Sequence, residues 1–152
     1  MKLQMNTRLA LYSVLEFASD PTRHIAAGEI AQRYGVSSHH LAKVLSELAR
    51  AGVVESVRGV GGGYRFAANA RRLTLIDVIQ MFEEFGTGDA ARREDGDDTP
   101  VGTALAAVLA EIDEIAKATF STITLATMLR LIERQRADAA RGLVAACREP
   151  GE

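Results

Sequence analysis

The chain has 152 residues, of which 47% are apolar, 25% charged and 5% aromatic with no tryptophan, proportions that fit one aliphatic, largely helical core with an appendage and exclude a disordered or fibrous chain. No apolar run approaches the length needed to cross a bilayer and the start lacks a signal-peptide pattern, so no membrane partner and a cytoplasmic location are expected, while a single cysteine, Cys147, excludes an intrachain disulfide and a multi-thiolate metal site within one chain. The net charge of −2 hides an asymmetry: residues 1–72 carry ten Lys/Arg against five Asp/Glu, and residues 73–152 eight against fifteen, so one end is suited to face phosphates.

Leu9, Leu11, Val14, Leu15 and Ala18 recur at helical spacing behind Asn6 and Thr7, either of which can cap, and predict a first helix to Ser19, stopped by Asp20 and Pro21. A second, short helix fits Ala27 to Tyr34, with Ile30 and Ala31 inward, and Gly35 supplies the left-handed turn that Val36 plugs. Ser37 or Ser38 caps a third helix, whose Leu41, Val44, Leu45 and Leu48 sit at i, i+3, i+4 and i+7, with Gly52 as its stop. Residues 53–58 then alternate, Gly59 to Gly63 make a glycine-rich tip, and Tyr64, Arg65 and Phe66 return as a second strand, a β-hairpin. Thr74 and Asp77 form a capping box, with Leu73 placed to staple against Val78, for a helix through about Phe85.

Composition changes sharply at Gly86. Residues 86–100 hold no large apolar side chain and predict an exposed loop between a basic module, 1–85, and a helical arm, 101–137, with a frayed tail at 138–152. In the arm Leu105, Val108, Leu109, Ile112 and Ile115 form one apolar stripe, which needs a partner. A bend is expected across Phe120 to Ile123, and a last helix, from Thr124 to about Arg136, shows Leu125, Met128, Leu129 and Ile132 on one face.

Three helices with one tight turn, followed by a hairpin, describe a winged helix-turn-helix: mostly α with a small β element. In such a unit the second helix of the pair enters the major groove, whose base edges present distinct donor and acceptor patterns. Ser38, His39, His40 and Lys43 are the expected outward, hydrogen-bonding or cationic positions of that helix. Arg58 and Arg65 flank a tip at which Gly61 and its neighbours let the backbone come close to phosphates or a narrow minor groove, and Tyr64 adjoins it. The glycines do not form a nucleotide loop, because no Gly-Lys-Ser/Thr follows and no helix opens after them. Adjacent histidines diverge by about 100° on a helix and lack a third ligand at chelating spacing, and the carboxylates Glu94, Asp95, Asp97 and Asp98 do not match a calcium loop, so no metal is expected. No nucleophile–base pair or paired carboxylates can be placed in one pocket, so an enzyme is not expected.

The run V-S-S-H-H-L-A-K-V-L-S-E-L-A-R-A-G-V-V-E-S-V-R-G-V-G-G-G-Y-R-F-A, with L-T-L-I-D-V-I and I-T-L-A-T-M-L further on, resembles the Rrf2 family of bacterial winged-helix regulators, and the likeness extends through about Arg134. It implies a homodimer in which the long helix crosses to its twin while the recognition helix and wing contact double-stranded DNA; a repressor acting on a near-palindromic operator is the expected function. Ser38, His39, His40 and Lys43 fall on the family's recognition positions and Arg58 on its wing arginine. Ser-His-His-Leu is closer to the nitric-oxide-sensitive branch, and Ala42 stands where the cluster-regulator branch has an acidic base reader. Sensing members hold an iron–sulfur cluster through three loop cysteines, and this loop has none. Pro100, Thr103 and Arg8 occupy positions where relatives place cysteine, histidine and aspartate ligands. A cluster is therefore not expected; Cys147 remains a redox handle, and an effector is left unnamed. The alternatives are a redox or cluster sensor with other ligands, and an interaction module that has lost DNA reading.

Overall fold

The computed structural model describes residues 3–83 and 98–146, with side chains as far as Arg141. The order is α1 (Met5–Ser19), α2 (Ala27–Tyr34), α3 (Ser38–Arg50), β1 (Val54–Val57), β2 (Gly63–Phe66), α4 (Leu75–Ile79), α5 (Pro100–Thr122) and α6 (Leu125–Ala146). This is the mostly helical fold with one antiparallel hairpin that the sequence predicts.

α1 starts earlier than its candidate caps imply. Gln4 is the N-cap, and Thr7 lies inside the helix with no exposed surface, because the face carrying Leu9, Ala10, Val14 and Phe17 extends one turn upstream into the core. α2 ends as expected at Gly35, whose φ of +64° lets its N–H and that of Val36 reach the carbonyls of Gln32 and Ala31. Ser37 is the cap of α3, accepting the His40 N–H at 3.1 Å. All four predicted apolar residues of α3 are buried, and with Ile30, Ala31 and α1 they form one cluster. Gly52, at φ +73°, turns the chain from α3 into the hairpin.

β1 and β2 pair in the register Val54↔Phe66, Glu55↔Arg65, Ser56↔Tyr64 and Val57↔Gly63. Val53 and Val54 are both buried, so strict alternation fails at the root of the hairpin, where the chain enters the core. The hairpin is also tied sideways: Ile25 and Tyr64 exchange two backbone hydrogen bonds of 2.9 Å. A side chain on Gly63 has no room there, since its Cβ would stand 2.5 Å from the Ile25 carbonyl oxygen.

The Thr74–Asp77 capping box is present, but α4 stops at Ile79, six residues before the expected Phe85, and Met81 and Phe82 pack on the core from a turn instead. Residues 84–97 lie outside the described residues, and with them most of the expected loop and its acidic cluster. Pro100, expected as the last loop residue, opens α5, with Thr99 as cap. The break after Thr122 lets Leu125 enter the core with no exposed surface, and the Leu125 and Ala126 N–H groups bond to the Leu73 and Ala70 carbonyls at 2.9 and 2.8 Å. α6 then continues to Ala146, well past the expected end at Arg136 and into the stretch expected to fray, while Cys147 lies outside the described residues.

Candidate nucleic-acid interface

α3 presents two faces. Leu41, Val44, Leu45 and Leu48 anchor it with at most 2% exposure, and Ser38, His39, Ala42 and Lys43 face outward. His39, Ala42, Lys43, Ser46 and Glu47 line a shallow concavity along that outward side. His40 differs from its expected place. It is only half-exposed and its Nε2 is buried without a hydrogen-bond partner among the described residues, because one position round the helix turns its ring toward the protein. The outward set is therefore Ser38, His39 and Lys43, joined by Ser46.

The wing residues also separate. Arg58 is exposed, and among the described residues no ion pair involves it. Gly59 and Gly61, at φ +111° and +76°, shape the tip beside it, and the Gly62 N–H closes onto the Gly59 carbonyl at 3.0 Å. Arg65, in sequence the equal of Arg58, is bonded through Nε to Glu55 directly opposite on β1. Tyr64 is half-buried, its ring centroid 6.3 Å from that of Phe17, and its backbone holds Ile25. It fastens the wing to α1 and to the strand-like segment before α2.

A third group is not evident from sequence. On α1, Glu16 accepts the Tyr34 hydroxyl at 2.7 Å and the Arg33 guanidinium at 2.5 Å, and the Tyr12 and Tyr34 rings stack at 4.9 Å. Arg33 also faces Glu29 at 3.6 Å. Burial pushes the Glu16 carboxyl up, but the Tyr34 and Arg33 hydrogen bonds and the Arg33 charge outweigh it and hold the group below the ordinary carboxylate value. Burial, then Glu16, pushes the Tyr34 phenol up, so Tyr34 stays a donor at neutral pH. These contacts connect α1 to the last turn of α2, immediately before the tight turn that aims α3. The available signal is a second spacing on α1: Tyr12, Leu15, Glu16 and Ser19 also fall at i, i+3, i+4 and i+7.

The arm stripe is where the sequence places it. Leu105, Val108, Leu109, Ile112 and Ile115 are 52–61% exposed, and no residue of α5 is buried. Among the described residues no three His, Cys, Asp or Glu side chains come together as a metal site. No helix among them is long and apolar enough to cross a membrane.

Comparison with known proteins agrees with this geometry. The family model described as Rrf2, iron-dependent transcriptional regulator, matches residues 3–131. The chain is 46% identical over 142 residues to a protein named as the putative HTH-type transcriptional regulator BadM of Rhodopseudomonas palustris, covering 93% of this chain and 90% of that one. It is 35% identical over 104 residues to the HTH-type transcriptional regulator IscR of Vibrio campbellii, covering 68% of this chain and 61% of the relative. Among solved structures, T. potens IscR superposes with a TM-score of 0.71 at 24% identity, covering 89% and 90% of the two chains. CymR of B. subtilis, described as a global cysteine regulator, gives 0.70 at 25% identity over 86% and 98%. These relatives are transcription regulators, a class that acts by binding DNA and not by catalysis, and the chain belongs to the Rrf2 family of helix-turn-helix transcriptional regulators.

Proposed function

We propose that the chain is a homodimeric cytoplasmic repressor that reads a near-palindromic operator in double-stranded DNA without a family-type iron–sulfur cluster. The observation that carries this reading is the division of α3: a fully buried apolar face holds it, and Ser38, His39 and Lys43 point away from the core with Arg58 uncovered at the wing tip. Lys43 and the histidine are able to meet base edges or phosphates in a major groove, and Arg58 with the glycine tip suits the adjacent backbone. Arg65 takes a lesser part, since Glu55 already offsets its charge. The exposed stripe of α5 supports a dimer, which places two recognition helices about 34 Å apart on one face of the duplex. Occupying both half-sites closes the step between them to other proteins, hence repression.

The family description is iron-dependent, and the donor set bears on whether a cluster fits. Iron–sulfur clusters are held chiefly by thiolates. The chain supplies one cysteine, Cys147, and three histidines, of which His24 lies between α1 and α2 and His39 and His40 in α3. Arg8, Pro100 and Thr103 provide neither thiolate, imidazole nor carboxylate. These residues do not fit the group, and no step of the proposed function passes through it.

Genomic DNA selection with the full chain is the test. A shared palindrome should emerge, and Lys43→Ala with Arg58→Ala should lower affinity for it and reduce the salt slope by about one for each phosphate no longer neutralised. Failure to enrich any site, or unchanged affinity in the double variant, removes the proposed reading surface. Anaerobically purified protein carrying stoichiometric iron and sulfide would overturn the cluster-free part.

A further inference from the structure

One side chain at the wing tip has no task in the fold. Val60 stands alone between Arg58 and Tyr64, with Gly59 before it and Gly61, Gly62 and Gly63 after it. Two of these glycines answer to space: a Cβ on Gly62 would stand 2.3 Å from the Val57 carbonyl oxygen, and one on Gly63 2.5 Å from that of Ile25. Gly59 to Gly62 form a turn closed by the Gly62 N–H, with Val60 and Gly61 at its centre, and the φ of +76° at Gly61 is what the third position of a type II turn demands. The second position, held by Val60, demands nothing apolar, and turn tips in water ordinarily carry polar residues, glycine or proline. Yet its isopropyl group is 111% exposed and joins no apolar cluster of the described residues.

We infer that Val60 is a specificity residue, which enters the minor groove next to α3 and selects A·T over G·C pairs there. The inference rests on the DNA-reading proposal and names what the wing discriminates. Reach agrees with it: from Val54 to Val60 the chain spans about 20 Å at the rise of a strand, against the about 17 Å, half a helical turn, between neighbouring grooves. Shape agrees too, since a tip with one small side chain among four glycines fits a slot about 6 Å wide. Arg58, exposed beside it, brings positive charge to a groove whose negative potential is greatest where A·T runs narrow it.

The chemistry sets the preference. In the minor groove A·T pairs show only acceptors, whereas G·C pairs add the guanine amino group, a donor that stands up from the floor. Valine covers that donor without accepting from it, and a covered donor left unpaired lowers affinity by about tenfold or more. Over an A·T pair the same space is empty and the isopropyl group fills it.

The probe is the operator duplex recovered by genomic selection, with each adenine replaced in turn by diaminopurine, which adds the minor-groove amino group and keeps the major-groove edge of adenine. At one or more positions in each half-site the affinity of the parent chain should fall at least about tenfold. Val60→Thr keeps the branched shape and supplies an acceptor, so at those positions its loss should shrink to less than about threefold, with Tm within about 2 °C of the parent because the side chain packs on nothing. A parent that tolerates diaminopurine at every adenine, a Val60→Thr chain that loses as much as the parent, or one that melts more than about 2 °C lower overturns the role of Val60 and leaves DNA reading by α3 standing. Selection that recovers no site overturns the DNA reading and this inference with it.

Discussion

Removing Glu16 probes how the helix-turn-helix is held to the rest of the module. α2 has eight residues and buries only Ile30 and Ala31, so polar contacts supply much of its attachment to α1. The Glu16 side chain is 17% exposed and holds Tyr34 and Arg33, whereas Arg33 is 47% exposed. A hydrogen bond to an ionised group contributes about 1.5–3 kcal/mol. The half-exposed ion pair adds no more than about 1 kcal/mol, because water screens it. Glu16→Ala should therefore cost about 2–4 kcal/mol and lower Tm by about 5–15 °C. Tyr34→Phe removes one of the two links and should cost about 1–2 kcal/mol. In the double variant that loss is already counted, so the pair should fall short of additivity by about 1 kcal/mol or more. Unfolding followed by circular dichroism at fixed protomer concentration measures all four corners of the cycle, since association shifts apparent stability. Costs that add to within about 0.5 kcal/mol, or a Glu16→Ala Tm within about 2 °C of the parent, would refute the argument.

The remaining predictions address local geometry. Gly63→Ala drives a methyl group against the Ile25 carbonyl and should break both Ile25–Tyr64 hydrogen bonds, costing about 2 kcal/mol or more; amide exchange at Tyr64 should rise with it, and unchanged protection counts against the tie. Ser37→Ala takes away the cap of α3 and should cost about 1 kcal/mol, read from the urea midpoint. Arg65→Ala should weaken DNA binding less than Arg58→Ala, because Glu55 already offsets Arg65; equal losses in a fluorescence titration would contradict this. The Glu16 carboxyl titrates below its ordinary value of 4.5, so the stability it contributes is complete above that pH and disappears as pH falls beneath it. Urea midpoints between pH 7 and 3 should fall less steeply in Glu16→Gln than in the parent.

Sequence is most legible where the signal is local. α2 and its Gly35 turn, the Ser37 cap, the buried face of α3 and the Thr74–Asp77 box each depend on residues within about one turn of one another, and all are in place. What periodicity does not supply is pairing at a distance. The Glu55–Arg65 contact depends on a hairpin register ten residues apart, and Glu16–Tyr34 on how two helices lie, which spacing on either one leaves open. The start of α1 departs from expectation because capping residues are visible in a sequence and the burial of Thr7 is not. α4 is shorter than expected because apolar Met81 and Phe82 continue a helical spacing, although they reach the core from a turn.

Joining the wing to the segment before α2 through Ile25 and Tyr64 makes the hairpin and the helix pair a single calliper with fixed jaws. Such a tool does not adjust its gap to the object measured. DNA must supply the fit, so operators whose groove width already matches should be preferred even where no base is touched, and flexible steps between the contacted positions should be favoured over stiff ones. Part of the discrimination between sites should then come from the energy of deforming the duplex, beside whatever the side chains of α3 read directly.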